Sequence, residues 1–596
     1  MVIESSRNEE FWVELSQCYY SVMFSLKTTR NFSVLFLAVL LIGNLPFNVS
    51  GRDAARAKNA MVASQHPLAS QIGADIMKKG GNAVDAAIAV GLALAVVYPE
   101  AGNIGGGGFM LIRKKDGSVF AVDYREMAPA AAHRDIYIDK DGNVIRGEGG
   151  STRGYRAAGV PGTVAGFEMA FKKHGSGKVS WADLVEPSVR LAKDGYVLSY
   201  RLAQIIRASA VDLGLYEDSK RIFLNNGKFF EAGDRHVQTE LAATLERIKT
   251  QGAKGFYEGK TAELIAADMK ANNGLITLND LKNYKAKERT PLIGNYRGHE
   301  IITMPPPSSG GIVMLQVLNM LEKYNVSEMG SGSAAKLHLL AEASRRSFAD
   351  RAEYMADPDF ADVPMAALIK KDYAVERLLS FDATKASSSK DVKFGSVSIN
   401  EGNETTHYTV VGPDGDVVSN TYTINDLFGN KVTAKGTGVL LNDEMDDFAA
   451  RPGVPNLYGL VQGERNKIEP GKRPLSSMTP TIVLRKDGSA WFAVGARGGP
   501  RIISAVMQTV INVIDHGMDI QSAINAPRIH HQWFPDELLY EPHGLSADTI
   551  KILTGYGHNF APRAGFVASA TGIMINDSGV KIGAIDVRSD GEAIGY

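Results

Sequence analysis

Glu404-Thr405-Thr406-His407-Tyr408-Thr409-Val410-Val411, followed by Gly412-Pro413-Asp414-Gly415, is the stretch on which the reading of this chain turns. β-Branched and aromatic residues run into a Pro/Asp/Gly cluster, and a second β-rich run, Val417 to Ile424, follows. A four-residue turn would pair the two runs antiparallel and return Thr421 to Thr423 opposite Thr405, within one residue. Two hydroxyls and the amide of Asn425 then gather near the start of the first strand. Upstream, Ala386-Ser387-Ser388-Ser389-Lys390-Asp391 opens a mostly polar run to Asn403 that reads as exposed and mobile. A threonine at the junction of a loose segment and a buried strand can become a new N-terminus. Its freed α-amine would then take the proton from its own hydroxyl, which makes the residue a self-sufficient nucleophile. A plain hairpin, with threonines present for strand propensity, accounts for this stretch equally well. The surroundings have to decide.

The 596 residues are 44% hydrophobic and 22% charged, with a formal net charge of −1. That composition is globular and sufficient for one large core or two domains. Near-neutral charge without a basic block argues against nucleic acid as a partner. The apolar run Val34 to Ile42 follows Lys27 and Arg30, and it is far shorter than the ~20 residues that span a bilayer. With Val49-Ser50-Gly51 behind it, it reads as a secretory signal, which predicts a periplasmic or secreted protein. The alternative is an uncleaved anchor, which would be the chain's contact with a membrane. The residues before Met23 make a long preamble, and Met23 gives a tidier start. The single cysteine, Cys18, lies in this leader, so the mature chain is expected to carry no disulfide and no thiolate.

Ala83 to Val97 has one charge, Asp85, among small apolar residues and predicts a closely packed helix. Gly102-Asn103-Ile104-Gly105-Gly106-Gly107-Gly108 comes next. It lacks the Lys-Ser/Thr of a phosphate loop, and a strand, Phe109 to Arg113, follows in place of a helix. A backbone crossing close to other elements is the better account. A second strand, Val119 to Tyr124, ends in Arg125-Glu126-Met127-Ala128-Pro129. Met304-Pro305-Pro306-Pro307-Ser308-Ser309-Gly310-Gly311 is extended and leads into a helix, Ile312 to Tyr324. Gly495-Ala496-Arg497-Gly498-Gly499 makes a flexible turn between a strand, Trp491 to Val494, and a helix, Arg501 to Ile514, with Pro500 suited to the first helical turn. His530 and His531 would face opposite ways on an extended segment, and no acidic or histidine cluster at ligand spacing accompanies them. No metal and no cofactor is expected.

Several of these motifs belong to one ordered set. Thr405-Thr406-His407-Tyr408, Thr423-Ile424-Asn425, Leu441-Asn442-Asp443-Glu444-Met445-Asp446-Asp447-Phe448, Lys472-Arg473-Pro474-Leu475-Ser476-Ser477-Met478-Thr479-Pro480-Thr481 and Gly498-Gly499 occur in this order. The set resembles the small-subunit sequence of the γ-glutamyltranspeptidases. The resemblance implies an α+β fold, a four-layer αββα sandwich of the N-terminal nucleophile hydrolase type. The chain would cut itself between Glu404 and Thr405 into two subunits that stay together as a heterodimer. Residues 1–51 would form the leader and residues 52–404 the large subunit, whose mobile end begins at about 385. Residues 405–596 would form the small catalytic subunit.

The resemblance also implies a chemistry and its residues. The Thr405 hydroxyl would attack the γ-amide of glutathione or a related γ-glutamyl compound to form an ester. Water, or the amine of an acceptor amino acid or peptide, would resolve it. Thr423 fits the family's hydroxyl on the nucleophile, and Gly498 and Gly499 match its oxyanion donors. Arg125 matches the arginine that grips the substrate α-carboxylate bidentately, with Ser476 and Ser477 beside it. Asn425, Glu444 and Asp447 match the acceptors of the α-amino group. A substrate without that amine would therefore leave two carboxylates facing no cation. Arg451-Pro452-Gly453-Val454-Pro455-Asn456-Leu457-Tyr458-Gly459 resembles a lid loop with Tyr458 at its tip. The flanking Arg497 and Pro500 depart from the proline and serine of the common pattern. The rival readings are a glutaryl- or cephalosporin-type acylase on the same fold and an unprocessed relative that only binds.

Overall fold

In the computed structural model the described residues are 53–395, 406–461 and 463–596. The leader with Cys18 and Met23, and both sides of the expected cut, Glu404 and Thr405, lie outside them. Two antiparallel sheets of seven strands carry the fold. Their strands are β1 Ala55–Ala57, β2 Met61–Ser64, β3 Gly107–Arg113, β4 Val119–Asp123, β5 Lys287–Arg289, β6 Leu292–Tyr296 and β7 His299–Thr303, then β8 Thr406–Val411, β9 Val417–Thr423, β10 Thr481–Leu484, β11 Ala490–Arg497, β12 Ser569–Ile575, β13 Lys581–Ile585 and β14 Glu592–Gly595. One sheet has the order β1-β13-β12-β11-β10-β7-β6, and the other β14-β2-β8-β9-β3-β4-β5. Their inner faces share a core that includes Phe109, Leu111, Ile302, Met304, Ile482 and Ile573. β2, β3, β8, β9 and β10 are buried along their whole length, because helical layers cover the outer side as well.

Helices supply those outer layers. α1 Pro67–Lys78, α2 Ala83–Val97 and α3 Thr163–His174 cover the β8-containing sheet, and α4 Gly310–Leu321, α5 Ala334–Tyr354 and α6 Arg501–Ile514 cover the other. α2 is buried on every face, as its all-round small apolar sequence requires. Asn82 opens it with a capping box: its side chain accepts from Val84 and Asp85 N–H, and the Asp85 carboxylate accepts from the Asn82 N–H. The result is the four-layer αββα sandwich of an α+β protein. No helix among the described residues is long and apolar enough to cross a membrane.

The hairpin β8–β9 forms in the expected register, with Thr406 opposite Tyr422 and His407 opposite Thr421. Its turn is one residue longer than expected, because Asp416 leaves the strand to pair with Lys114 and accept from the Lys115 N–H at 2.8 Å. The glycine run before β3 makes the close crossing: a Cβ on Gly106 would collide with the Thr423 carbonyl.

The described part of the stretch expected to be loose is tied along its length. Ser387 N–H donates to Glu342 at 3.1 Å, Ser389 N–H to Asp536 at 2.7 Å and Gly395 N–H to Asp350 at 2.8 Å. The Trp533 indole N–H reaches the Ser389 and Val392 carbonyls at 2.9 Å each.

Candidate active site

The polar centre of the fold is built on the end of β4. Asp123, the last residue of that strand, accepts from the Arg125 N–H at 3.0 Å, and the Tyr284 hydroxyl donates to the Arg125 carbonyl at 2.7 Å. The backbone is thereby fixed and the Arg125 side chain is fully buried. Its Nε donates to the Pro474 carbonyl at 3.0 Å and Nη2 to the Leu475 carbonyl at 2.8 Å. The remaining donors form ion pairs with Glu444 and Asp447, and Glu126 lies 3.4 Å away. Glu444 and Asp447 come from one turn of 3₁₀ helix, Glu444–Asp447, which places their carboxylates side by side.

This corrects one expectation. Glu444 and Asp447 are not left facing no cation for want of a substrate amine, because Arg125 pairs with both. The reason is the cost of burial: two carboxylates fully removed from water need a cation, and Arg125 is placed to serve both. The sequence also missed Glu126. Its position directly after Arg125 was the available signal, but strand alternation alone would have turned it away. In the structure three buried acids surround one guanidinium.

Electrostatics follow from that count. Burial pushes the Glu126 carboxyl up to about 7, against the pull of Arg125. Burial likewise holds Glu444 well above the carboxylate range, again with Arg125 opposing, and one Glu444 oxygen has no hydrogen-bond partner among the described residues. For Arg125 burial disfavours the charge, but Glu444, Glu126 and Asp447 outweigh it and raise its pKa further.

The other expected residues surround this cluster. The Thr423 hydroxyl accepts from the Asn425 N–H at 2.8 Å, and Asn425 Nδ2 donates to the Asp443 carbonyl at 3.0 Å, so the end of β9 is tied to the acidic turn. Asn425 takes a left-handed φ of 73° and leaves its Oδ1 buried without a partner among the described residues. Ser476 and Ser477 follow the two carbonyls that hold Arg125 and are both buried. Ser476 N–H donates to the Pro307 carbonyl at 2.8 Å, and Arg351 of α5 donates to the Ser477 hydroxyl at 3.1 Å.

Gly498, at φ 131°, and Gly499, at φ 63°, form the turn before α6. A Cβ on Gly498 would lie 2.8 Å from Ala568 Cα, so both the backbone angle and the space require glycine. Tyr458 sits in a loop fastened at several points: Leu457 N–H donates to Asp446 at 3.0 Å and Gln532 donates to the Tyr458 carbonyl at 3.1 Å.

The histidines are occupied elsewhere. His407 on β8 bonds Thr421 at 2.8 Å and Thr409 at 3.0 Å, and burial lowers its pKa to about 3, so the ring is neutral. His530 bonds Ser504 and Gln532 at 2.8 Å each. A different trio, His338, Glu342 and His558, brings three ligand-type atoms within 4.8 Å. There the two imidazoles bond each other at 2.7 Å, and Glu342 is paired with Arg345 and Arg346. That network accounts for the group.

A sandwich of this layering, with the end of an inner hairpin tied to a buried acid-and-arginine cluster, has the fold of the N-terminal nucleophile hydrolases. Residues 69–596 match the family model for gamma-glutamyltranspeptidase. The glutathione hydrolase proenzyme of Escherichia coli is 49% identical over 91% of this chain and 92% of its own. The γ-glutamyltranspeptidase structure from Helicobacter pylori is 45% identical over 58% of this chain and 97% of its own, with a TM-score of 0.55. The cephalosporin acylase structure from Bacillus halodurans has a TM-score of 0.82 over 93% of this chain and 98% of its own, at 26% identity. The chain belongs to the γ-glutamyltranspeptidase family and is an enzyme of that family. Acylases share its fold at lower identity.

Proposed function

We propose that this enzyme transfers the γ-glutamyl group of glutathione and related compounds to water, or to the amine of an amino acid or peptide, after cutting itself between Glu404 and Thr405. The observation that carries the reading is the cluster of three buried acids around Arg125. An α-amino-acid head presents an ammonium and a carboxylate on one carbon. A cluster with one cation and a surplus of carboxylates can answer both: the acids take the ammonium and Arg125, partly released from them, takes the carboxylate. A monoanionic acyl group without the amine answers only half of it.

The residue roles follow. Thr405 attacks the γ-carbonyl carbon, and its α-amine accepts the hydroxyl proton. Thr423 holds the nucleophile through its hydroxyl, and the Gly498 and Gly499 N–H groups receive the charge developing on the carbonyl oxygen. Asn425, Glu444 and Asp447 bind the α-ammonium, and Glu126 adds to the field that holds it. Arg125, Ser476 and Ser477 bind the α-carboxylate. Tyr458 and its loop cover the pocket. Residues 1–51 direct export to the periplasm or beyond, and residues 52–404 and 405–596 are the two subunits.

The test is a denaturing gel with N-terminal sequencing of the smaller band, beside release of p-nitroaniline from its γ-glutamyl anilide. A small subunit beginning at Thr405, with activity that appears as it forms, is the expected result. Full activity in a chain that stays whole would overturn the reading.

A further inference from the structure

The glycine turn begins with a cation that lacks an anion. Arg497, the last residue of β11, is partly exposed, and among the described residues its guanidinium forms no ion pair and no hydrogen bond; its Nε is buried without a partner. Its neighbour across Tyr98 behaves otherwise. Arg201 stands 5.8 Å from the Tyr98 ring and pairs with Glu100 at 2.9 Å, whereas Arg497 stands 5.7 Å over the same ring and has nothing further. A ring face is a weak partner for a guanidinium compared with a carboxylate.

Its direction follows from the strand. Residues two apart on β11 share a face, so Arg497 points the way Gly495 does. Gly495 lies against the His407 ring on β8 of the opposite sheet, so a Cβ there would collide with it. Arg497 therefore looks into the gap between the sheets. The segment carrying Tyr98 reaches the end of β9 there: Asn103 Nδ2 donates to the Thr423 carbonyl at 2.8 Å, and Phe428 N–H donates to the Glu100 carbonyl at 3.0 Å.

We propose that Arg497 binds a carboxylate on the amine side of the reaction: that of the peptide that leaves when the γ-glutamyl amide is broken, and that of an amino acid or peptide acceptor that arrives. The proposal rests on the acyl-transfer reading above. The α-carboxylate of the glutamyl group already has Arg125. The glycine pair faces the scissile carbonyl, and Arg497 is the residue next to that pair. In transfer, the acceptor nitrogen attacks the ester carbonyl carbon. A C–N bond forms, the C–O bond to Thr405 breaks, and the amine gives up a proton while the threonine oxygen regains one. Arg497 takes no part in these bonds; it sets which amines are held in place. By reversibility the leaving peptide and the acceptor share this contact.

The experiment compares glutathione with its glycine monoethyl ester, in which that carboxylate becomes a neutral ester. The self-cleaved full-length enzyme is used and glutamate release is measured. Wild type should prefer the free acid by roughly tenfold in kcat/KM, the value of about one charged hydrogen bond at a partly exposed site. Arg497→Ala should bring the ratio close to one, and Arg497→Lys should keep part of it, since charge remains and the fork is lost. A ratio taken within one variant cancels any general loss of activity, and Arg497→Gln, with similar length and one donor group, guards against misfolding. A second arm measures transfer to glycylglycine against glycylglycinamide. An unchanged acid-to-ester ratio in Arg497→Ala, with both compounds cleaved, would overturn this assignment alone. Absence of a Thr405 terminus and of cleavage of either compound would overturn the acyl-transfer reading, and this proposal with it.

Discussion

Replacing γ-glutamyl by glutaryl removes the α-amine and keeps the acyl chain, and the pocket gives that change a sign and a size. Three carboxylates surround Arg125, and ionisation of all three would leave two negative charges in excess. A γ-glutamyl head brings one charge of each sign. A glutaryl group brings only a negative one. It must compete with Glu444 and Asp447 for Arg125 and offers those acids nothing in return. The loss is at least one charged hydrogen bond, roughly 1.5–3 kcal/mol, or about 10- to 150-fold in kcat/KM. The penalty is not that of two unpaired buried carboxylates, since Arg125 pairs with both. Asp447→Asn should shrink the preference, chiefly by weakening the γ-glutamyl reaction. The fold should survive it, because Arg125 keeps Glu444 and Glu126 as partners. The assay is p-nitroaniline release from the two anilides at equal concentrations of fully cleaved enzyme. Equal kcat/KM for both by wild type would refute the amino pocket and favour an acylase.

Thr405→Ala should remain one chain on a denaturing gel while wild type yields two, and a second band in the variant would count against Thr405 as the cutting group. Arg125→Lys keeps one charge but cannot hold Pro474, Leu475, Glu444 and Asp447 together, so kcat/KM should fall on the order of 10- to 150-fold with self-cleavage intact; unchanged kinetics would remove Arg125 from the site. Glu126 sits at about 7 in the fold against an ordinary value of 4.5, so its contribution to stability is present in full below 4.5 and is lost as pH rises through about 7. Glu126→Gln should therefore gain melting temperature over wild type as pH is raised from 5.5 to 8.5, and a pH-independent difference would contradict that burial.

What was legible in the sequence was whatever its neighbours along the chain determine. α2 spans the residues its composition predicted, and the β8–β9 register followed from alternation around a Pro/Asp/Gly turn. Elements with distant partners were read less well. The strand expected over Trp491 to Val494 runs to Arg497, because β12 pairs with it as far as Ser569 opposite Arg497. α4 begins at Gly310, two residues before the expected start, where Ser309 N–H is held by the Ser476 carbonyl at 2.9 Å. The site divides in the same way. Arg125, Glu444 and Asp447 were recognisable by resemblance, but their mutual pairing joins residues more than 300 apart and no local pattern encodes it. The His338–His558 contact spans 220 residues and left no trace in the sequence reading.

The same long-range pairing settles what a cut after residue 404 can change. The boundary between residues 52–404 and 405–596 does not fall between sheets or along one edge. In one sheet it runs through the β2–β8, β9–β3 and β2–β14 ladders, and in the other through β7–β10 and β1–β13. The β9–β3 ladder alone joins seven residue pairs across it. The core between the sheets mixes Phe109 and Leu111 from one piece with Met478 and Ile573 from the other. Separating the pieces would open five strand ladders and split that core, exposing unpaired backbone and apolar surface together. The proposed cleavage would therefore leave the scaffold as it is and add a terminal amine on the residue that precedes β8, where the proposed chemistry needs a base.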